Sequence, residues 1–322
     1  MTAGSWGLMS LNILKNVKLA EYTSWLIGGP ADFFCLPKTI TELKAALTFA
    51  KEQGLPITIL GGGSNVLISD HGVRGLVICL RQFSEIRSEI KDGKLKIECL
   101  SGTAKSELLK IFLKHQLAPA LFLAGLPGDV GGGVVMNAGV AEAYTPREFM
   151  DIVDEVDIIT AQQQIQTLHK DQLKIRYRHT DGWQPHIILQ VRLSWPVEPQ
   201  PDILKQVREA NKIRLLKQPL DKPSCGSVFK NPEGHKAAQL IDQCGLKGYQ
   251  IGACQVSTKH ANFIVNLEQD EAFLQSLSSE NRMKILTPAA NVWSIILHVQ
   301  KTVLEKTGVQ LTTEVVRLGD WY

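Results

Sequence analysis

The 322-residue sequence contains no apolar run approaching the ~18 residues that a membrane-spanning helix needs. Its start, Met1 to Lys15, lacks a charged segment followed by an apolar core, so no secretory signal is expected. A strong charge of one sign is missing too. The 35 basic and 32 acidic residues leave a net charge of +3, which argues against a protein built mainly to hold nucleic acid. The six cysteines, Cys35, Cys79, Cys99, Cys225, Cys244 and Cys254, form no C-x-x-C pair and are irregularly spaced. Neither a metal site nor a disulfide framework fits that pattern, and reduced thiols in a cytoplasmic protein are expected. No internal repeat and no low-complexity tract occurs.

What remains is ordinary globular composition, 44% hydrophobic and 21% charged. At ~150 residues per domain the length allows roughly two domains. Helical spacing of Leu43, Ala46, Leu47 and Ala50 predicts a helix over Ile40 to Gln53, stopped by Gly54. Strands are expected at 56–60, 73–80, 95–100, 152–160 and 187–195, with an amphipathic helix over 105–115. Pro196, Pro199 and Pro201 punctuate the chain, so a boundary is expected after residue 200. Beyond it, helices are expected at 202–216, 237–243 and 291–306, and strands at 251–256, 262–267 and 310–318. The polar stretch 268–287 reads as a surface insertion. Strands and helices interspersed in this way point to an α/β or α+β fold.

Two glycine clusters carry the first chemical signal. One is Gly61-Gly62-Gly63-Ser64-Asn65. The other runs from Gly125 through Pro127, Gly128, Gly131 and Gly132 to Asn137 and Gly139, with six glycines in fifteen residues. Neither matches the P-loop or the Rossmann fingerprint. Each is open to two readings: a tight turn, or a hollow of exposed amides that seats a phosphate-bearing cofactor. Further along, Gly226 before Ser227 permits a sharp turn that exposes the hydroxyl, in a run that continues to Lys230, Asn231 and Pro232. A helix-capping loop accounts for this run equally well. Arg176-Tyr177-Arg178-His179-Thr180 reads as a strand with both arginines on one face, either a solvated edge or an anion grip. Glu314 by itself reads as a surface residue of the last strand, and His260 as a structural histidine.

Taken in order, these pieces resemble the UDP-N-acetylenolpyruvoylglucosamine reductase family. The resemblance runs through Ile27 to Asp32, Leu60 to Asn65, Ala124 to Gly139, Tyr177-Arg178, Gly226 to Pro232, Gly245 to Gly248, Val256 to Phe263 and Glu314-Val315. The Val256 to Phe263 run is similar to the shorter, type II branch. The resemblance implies an α+β fold: an FAD-binding region of the vanillyl-alcohol-oxidase type over 1–200, a smaller α/β substrate domain over 201–310, and a strand at 311–322 that returns to the first region. It implies non-covalent FAD in the two glycine clusters, at Gly61, Gly62, Gly63, Ser64, Asn65, Gly125, Pro127, Gly128, Gly131, Gly132, Asn137 and Gly139. It implies NADPH as reductant and UDP-N-acetylglucosamine enolpyruvate as substrate, with Ser227 as proton donor and Arg178 and Glu314 stabilising the enolic intermediate. Tyr177, Lys217, Lys230 and Asn231 are the implied substrate contacts. No nucleic acid or membrane insertion is implied, and a monomer is expected. Four positions depart from the usual pattern: Leu26 for Arg, Cys225 for Ala, Thr180 for Ser and Thr312 for Glu. The competing reading is an FAD-dependent oxidase or dehydrogenase of the same fold acting on a small alcohol or hydroxy acid. Many such relatives tether the flavin through a histidine in the first glycine-loop region, and the nearest candidate, His71, lies beyond that loop.

Overall fold

A computed structural model of the chain describes residues 11–276 and 288–321. The first third contains β1 (Leu14–Lys18), β2 (Pro30–Cys35), α1 (Ile40–Glu52), β3 (Ile57–Leu60), β4 (Val66–Ile68) and β5 (Val73–Cys79). They form a sheet of order β1-β2-β5-β3, antiparallel at β1/β2 and parallel at β2/β5 and β3/β5, with β4 outside it. Helix α1 forms as its periodicity predicts. Thr39 caps it by accepting the Glu42 amide, and Leu43, Ala46, Leu47 and Ala50 face the sheet.

The middle of the chain follows with β6 (Ile86–Lys91), β7 (Lys94–Leu100), α2 (Lys105–Lys114), α3 (Pro119–Leu123), α4 (Val130–Val135), β8 (Val153–Ile159), β9 (Ile165–His169), β10 (Lys174–Arg176), β11 (His179–Asp181), β12 (Ile187–Pro196) and α5 (Ile203–Lys217). Strands β6-β7-β12-β8-β9 make an antiparallel sheet, and β10 and β11 form a separate hairpin. One apolar cluster joins this sheet to the first: Ile159, Ile187 and Leu189 pack with Leu43, Ala46 and Leu76. Helix α5 lies after the expected boundary at residue 200, yet its buried residues Ile203 and Val207 share a core with Phe112, Phe122 and Val191.

The last third holds α6 (Ala237–Gln243), β13 (Gln250–Ile251), β14 (Cys254–Val256), β15 (Ile264–Asn266), α7 (Glu271–Ser276), α8 (Pro288–Thr307) and β16 (Val316–Leu318). Three expectations are corrected. The strand over 251–256 is a hairpin, because Gly252, at φ +57°, reverses the chain between β13 and β14. The strand over 310–318 is regular only at β16, which pairs in parallel with β4. The arginine-bearing stretch 176–180 is no single strand: Arg178 lies at φ +55°, in the turn between β10 and β11, so the two arginines do not share a strand face. Of the polar stretch 268–287, α7 is described and 277–287 lies outside the described residues. Among the described residues no helix is long and apolar enough to cross a membrane.

The N-terminal third is locked into the C-terminal core. Trp25 is fully buried among Val228, Leu240 and Ile264. Its indole N–H donates to the Ile264 carbonyl at 2.7 Å, and Asn266 Nδ2 donates to the Trp25 carbonyl at 3.1 Å. Asp70 accepts the Ala289 and Ala290 amides at 3.1 and 2.9 Å, at the start of α8. Trp25→Ala removes the apolar bridge and leaves the Ile264 carbonyl without its donor. A loss of about 3–5 kcal/mol is expected, read as a lower midpoint in urea unfolding at unchanged slope. An unchanged midpoint would show that the two regions are not coupled through Trp25.

Candidate active site

A cavity of about 1200 Å³ opens where the three regions meet. Its wall includes both glycine clusters, the β10–β11 turn, the end of α5, the Ser227 segment and Glu314. That volume exceeds the ~300–1,000 Å³ typical of small-ligand pockets and suits a dinucleotide with a second ligand beside it.

The first glycine cluster follows β3 at the cavity wall. A Cβ on Gly62 would lie 2.8 Å from the Gly128 Cα, so the two clusters touch backbone to backbone and no side chain fits between them. The amides of Gly62, Gly63 and Ser64 donate to no protein acceptor among the described residues. Among the described residues, three buried polar atoms also lack partners: Ser101 Oγ, Asp129 Oδ2 and His186 Nδ1. All three residues line this same cavity. Free amides and orphaned polar atoms around one large hollow are what a polar cofactor with phosphates would satisfy.

Of the expected cofactor contacts, Gly61, Gly62, Gly63, Ser64, Asn65, Gly125, Pro127, Gly131, Gly132 and Gly139 line the cavity. Gly128 and Asn137 do not line it. Gly128 is spent on the close approach to Gly62. Asn137 is a brace: its Nδ2 donates to Glu148 Oε2 at 2.8 Å and to the Arg176 carbonyl at 3.2 Å, and its Oδ1 accepts the Met150 amide at 3.1 Å. Thr180, which keeps a hydroxyl at its position, is buried and donates to the Val134 carbonyl at 2.9 Å, pinning the β10–β11 hairpin to α4.

The three expected catalytic side chains come together. Gly226, at φ +81°, turns the chain so that Ser227 faces the cavity. Val228 and Phe229 behind it are buried and cross-braced. Asn262 accepts the Phe229 amide on Oδ1 at 2.9 Å and returns Nδ2 to the Phe229 carbonyl at 2.8 Å. On the other side, the Glu314 amide donates to the Val228 carbonyl at 2.8 Å, and Asn65 Nδ2 donates to the Glu314 carbonyl at 3.1 Å. Arg178 is buried between two carboxylates. Its Nε lies 3.4 Å from Glu314 Oε1 and its Nη1 lies 3.6 Å from Glu148 Oε1, while Nη2 donates to the Gly139 carbonyl at 2.7 Å. Burial pushes the Glu314 carboxyl above the usual carboxylate range, and Arg178 and Lys230 pull it back. Burial, with Glu314 nearby, holds the Cys225 thiol well above its ordinary value, which keeps it protonated and unreactive.

The expected substrate contacts divide. Tyr177 and Lys217 line the cavity, Tyr177 beneath the Arg178 guanidinium at 4.8 Å from its ring centre. Lys230 does not line it; its ammonium sits 3.5 Å from the Arg178 carbonyl and acts on Glu314. Asn231 lines the rim, but its Oδ1 accepts the Ala237 amide at 3.0 Å, so the capping role is filled. His260 is structural in character: its Nδ1 accepts the Asn262 amide at 3.3 Å, and burial holds the imidazole below its ordinary value. Three site residues escaped the sequence reading, namely Lys105, Asp129 and Glu148. Lys105 had left a signal, a lysine on the same helical stripe as Leu108 and Phe112.

Comparison with known proteins agrees with this architecture. The FAD-binding domain model matches residues 31–169, and the model of the C-terminal domain of UDP-N-acetylenolpyruvoylglucosamine reductase matches 218–277. The reductase of that name from Lactiplantibacillus plantarum is 38% identical over 97% of this chain and 95% of its own. That from Listeria innocua is 37% identical over 96% and 95%. Among solved structures, the enzyme from Thermus caldophilus superposes with a TM-score of 0.73 at 29% identity, covering 96% of this chain and 99% of its own. The fold is α+β with an FAD-binding domain, as the sequence implies. With that identity spread over nearly its whole length, the chain belongs to the UDP-N-acetylenolpyruvoylglucosamine reductase family.

Proposed function

We propose that the chain reduces the enolpyruvyl ether of UDP-N-acetylglucosamine enolpyruvate to the lactyl ether of UDP-N-acetylmuramate. The reaction serves peptidoglycan precursor synthesis in the cytoplasm, with NADPH as reductant and FAD held without a covalent link. The observation that carries this reading is the meeting of Ser227, Arg178 and Glu314 on the wall of the cavity that both glycine clusters line. When bound, FAD supplies a hydride to the vinyl CH2 carbon.

Hydride addition there builds negative charge on the neighbouring carbon and its carboxylate. The Arg178 guanidinium, whose fork of donors suits a carboxylate, is held by Gly139 and Glu148 where it meets that charge. Ser227 delivers the proton to the carbanion-like carbon and regains one from solvent, so one hydride and one proton are added in all. An ionised Glu314 would oppose the developing charge. Burial raises its pKa, which lessens that opposition, while Arg178 and Lys230 act in the other direction. The oxidase alternative has less support: His71 is exposed and does not line the cavity, so it offers no tether.

Ser227→Ala is expected to leave reduction of the bound flavin by NADPH intact. It should slow reoxidation by the enolpyruvyl substrate about 10²- to 10⁴-fold in anaerobic stopped-flow. Parent-rate reoxidation would remove Ser227 from the proton step. Arg178→Met deletes a cation that lowers the Glu314 pKa, so the Glu314 carboxyl should titrate at higher pH than in the parent. A ¹³C NMR titration of glutamate-labelled protein reads this, and an unmoved or lowered midpoint would contradict it.

A further inference from the structure

Lys105 opens α2 and is buried, 4% exposed, although its side chain ends in an ionisable amine. Its stem crosses Gly133, where a Cβ would lie 2.9 Å from Lys105 Cε, and passes within cation–π range of Phe149, 5.9 Å from the ring centre. The ammonium emerges where the two glycine clusters touch. A Cβ built on Gly128 would lie 3.7 Å from Lys105 Nζ and 2.6 Å from Ser64 Oγ. An ammonium has three donors, and among the described residues this one meets a single protein acceptor, the Pro127 carbonyl at 2.8 Å. Burial lowers its pKa to about 8, and Asp129 opposes that fall.

Asp129 stands at the same junction with the opposite charge. Its Oδ1 accepts the Gly132 amide at 2.6 Å, while its buried Oδ2 has no partner and would collide with any Cβ on Gly61. Lys105 and Asp129 both line the cavity. A seat for a diphosphate is thus furnished with a fixed carboxylate, an arrangement that repels the ligand unless a cation offsets it.

We propose that Lys105 is a cofactor-binding residue that donates to the diphosphate of FAD at the junction of the two glycine clusters, and that Asp129 makes this cation obligatory. The proposal rests on the reading of the clusters as the diphosphate seat and deepens it. With one charge of each sign beside the ligand, the parent junction is neutral. Lys105→Met leaves it negative, Asp129→Ser leaves it positive while keeping a hydroxyl cap for α4, and the double variant is neutral again.

The test is fluorescence titration of FAD, and separately of riboflavin, which lacks phosphate, into the full chain freed of cofactor. Lys105→Met should weaken FAD by about 10- to 100-fold, the range of a charge-assisted hydrogen bond, with riboflavin unchanged. Asp129→Ser should bind FAD more tightly than the parent, and the double variant should return close to the parent. Parent-like FAD binding by Lys105→Met would overturn the proposal. Equal losses of FAD and riboflavin would also overturn it, by reducing Lys105 to a structural brace. Should Lys105→Met fail to fold, Asp129→Ser alone decides, and FAD affinity at or below the parent's contradicts the proposal. A parent chain that binds riboflavin and FAD equally well would sink the diphosphate seat itself, and Lys105 with it.

Discussion

The Glu314 backbone is gripped from both sides. Its amide donates to Val228 and its carbonyl accepts from Asn65, and Val316 then donates to the Asn65 carbonyl at 3.0 Å before β16 pairs with β4. One short stretch near the C-terminus therefore joins the first glycine cluster to the Ser227 segment. The distance from the first glycine cluster to Ser227 is set by a few hydrogen bonds to the backbone rather than by a flexible linker. The same stretch presents the Glu314 carboxylate to Arg178, so the charge arrangement and the chain path are fixed together. Trp25 and Asp70 reinforce the joint from the N-terminal side.

Electrostatics in the cavity follow one pattern. Buried cations are placed beside carboxylates that have unequal access to other partners. Arg178 is shared by Glu148 and Glu314, and Glu148 is anchored further by Asn137. Lys105 stands near an Asp129 whose second oxygen has no protein partner. Such groups are costly to bury unless something completes them. Among the described residues, the three whose buried polar atoms are left over all line the same hollow, which is the strongest physical argument that the hollow is built for a ligand.

Much of the fold was legible because periodicity governs element formation where burial is one-sided. Helix α1 and strand β12 form close to where alternation and helical spacing place them. Legibility failed where a single backbone conformation decides. Arg178 and Gly252 at positive φ convert apparent strands into turns, and no side-chain pattern announces that. The last strand is short because 311–315 is spent bracing Phe229 and Val228 rather than pairing in a sheet. At the site, the family resemblance singled out Ser227, Arg178 and Glu314, which line one cavity, whereas the residues alone left Glu314 looking like a surface carboxylate. An asparagine in a glycine cluster looks like a ligand contact, and the bracing role of Asn137 shows only in its three hydrogen bonds. Glu148 was invisible, since its partner Arg178 lies thirty residues away in the chain.

The most direct test of the account is an anaerobic absorbance titration of the purified chain. The protein should be yellow, lose its flavin band on addition of NADPH, and recover it on addition of one equivalent of UDP-N-acetylglucosamine enolpyruvate. A flavin band that NADPH bleaches and that substrate fails to restore would contradict the claim that the glycine-lined hollow and the Ser227 segment form one reducing site.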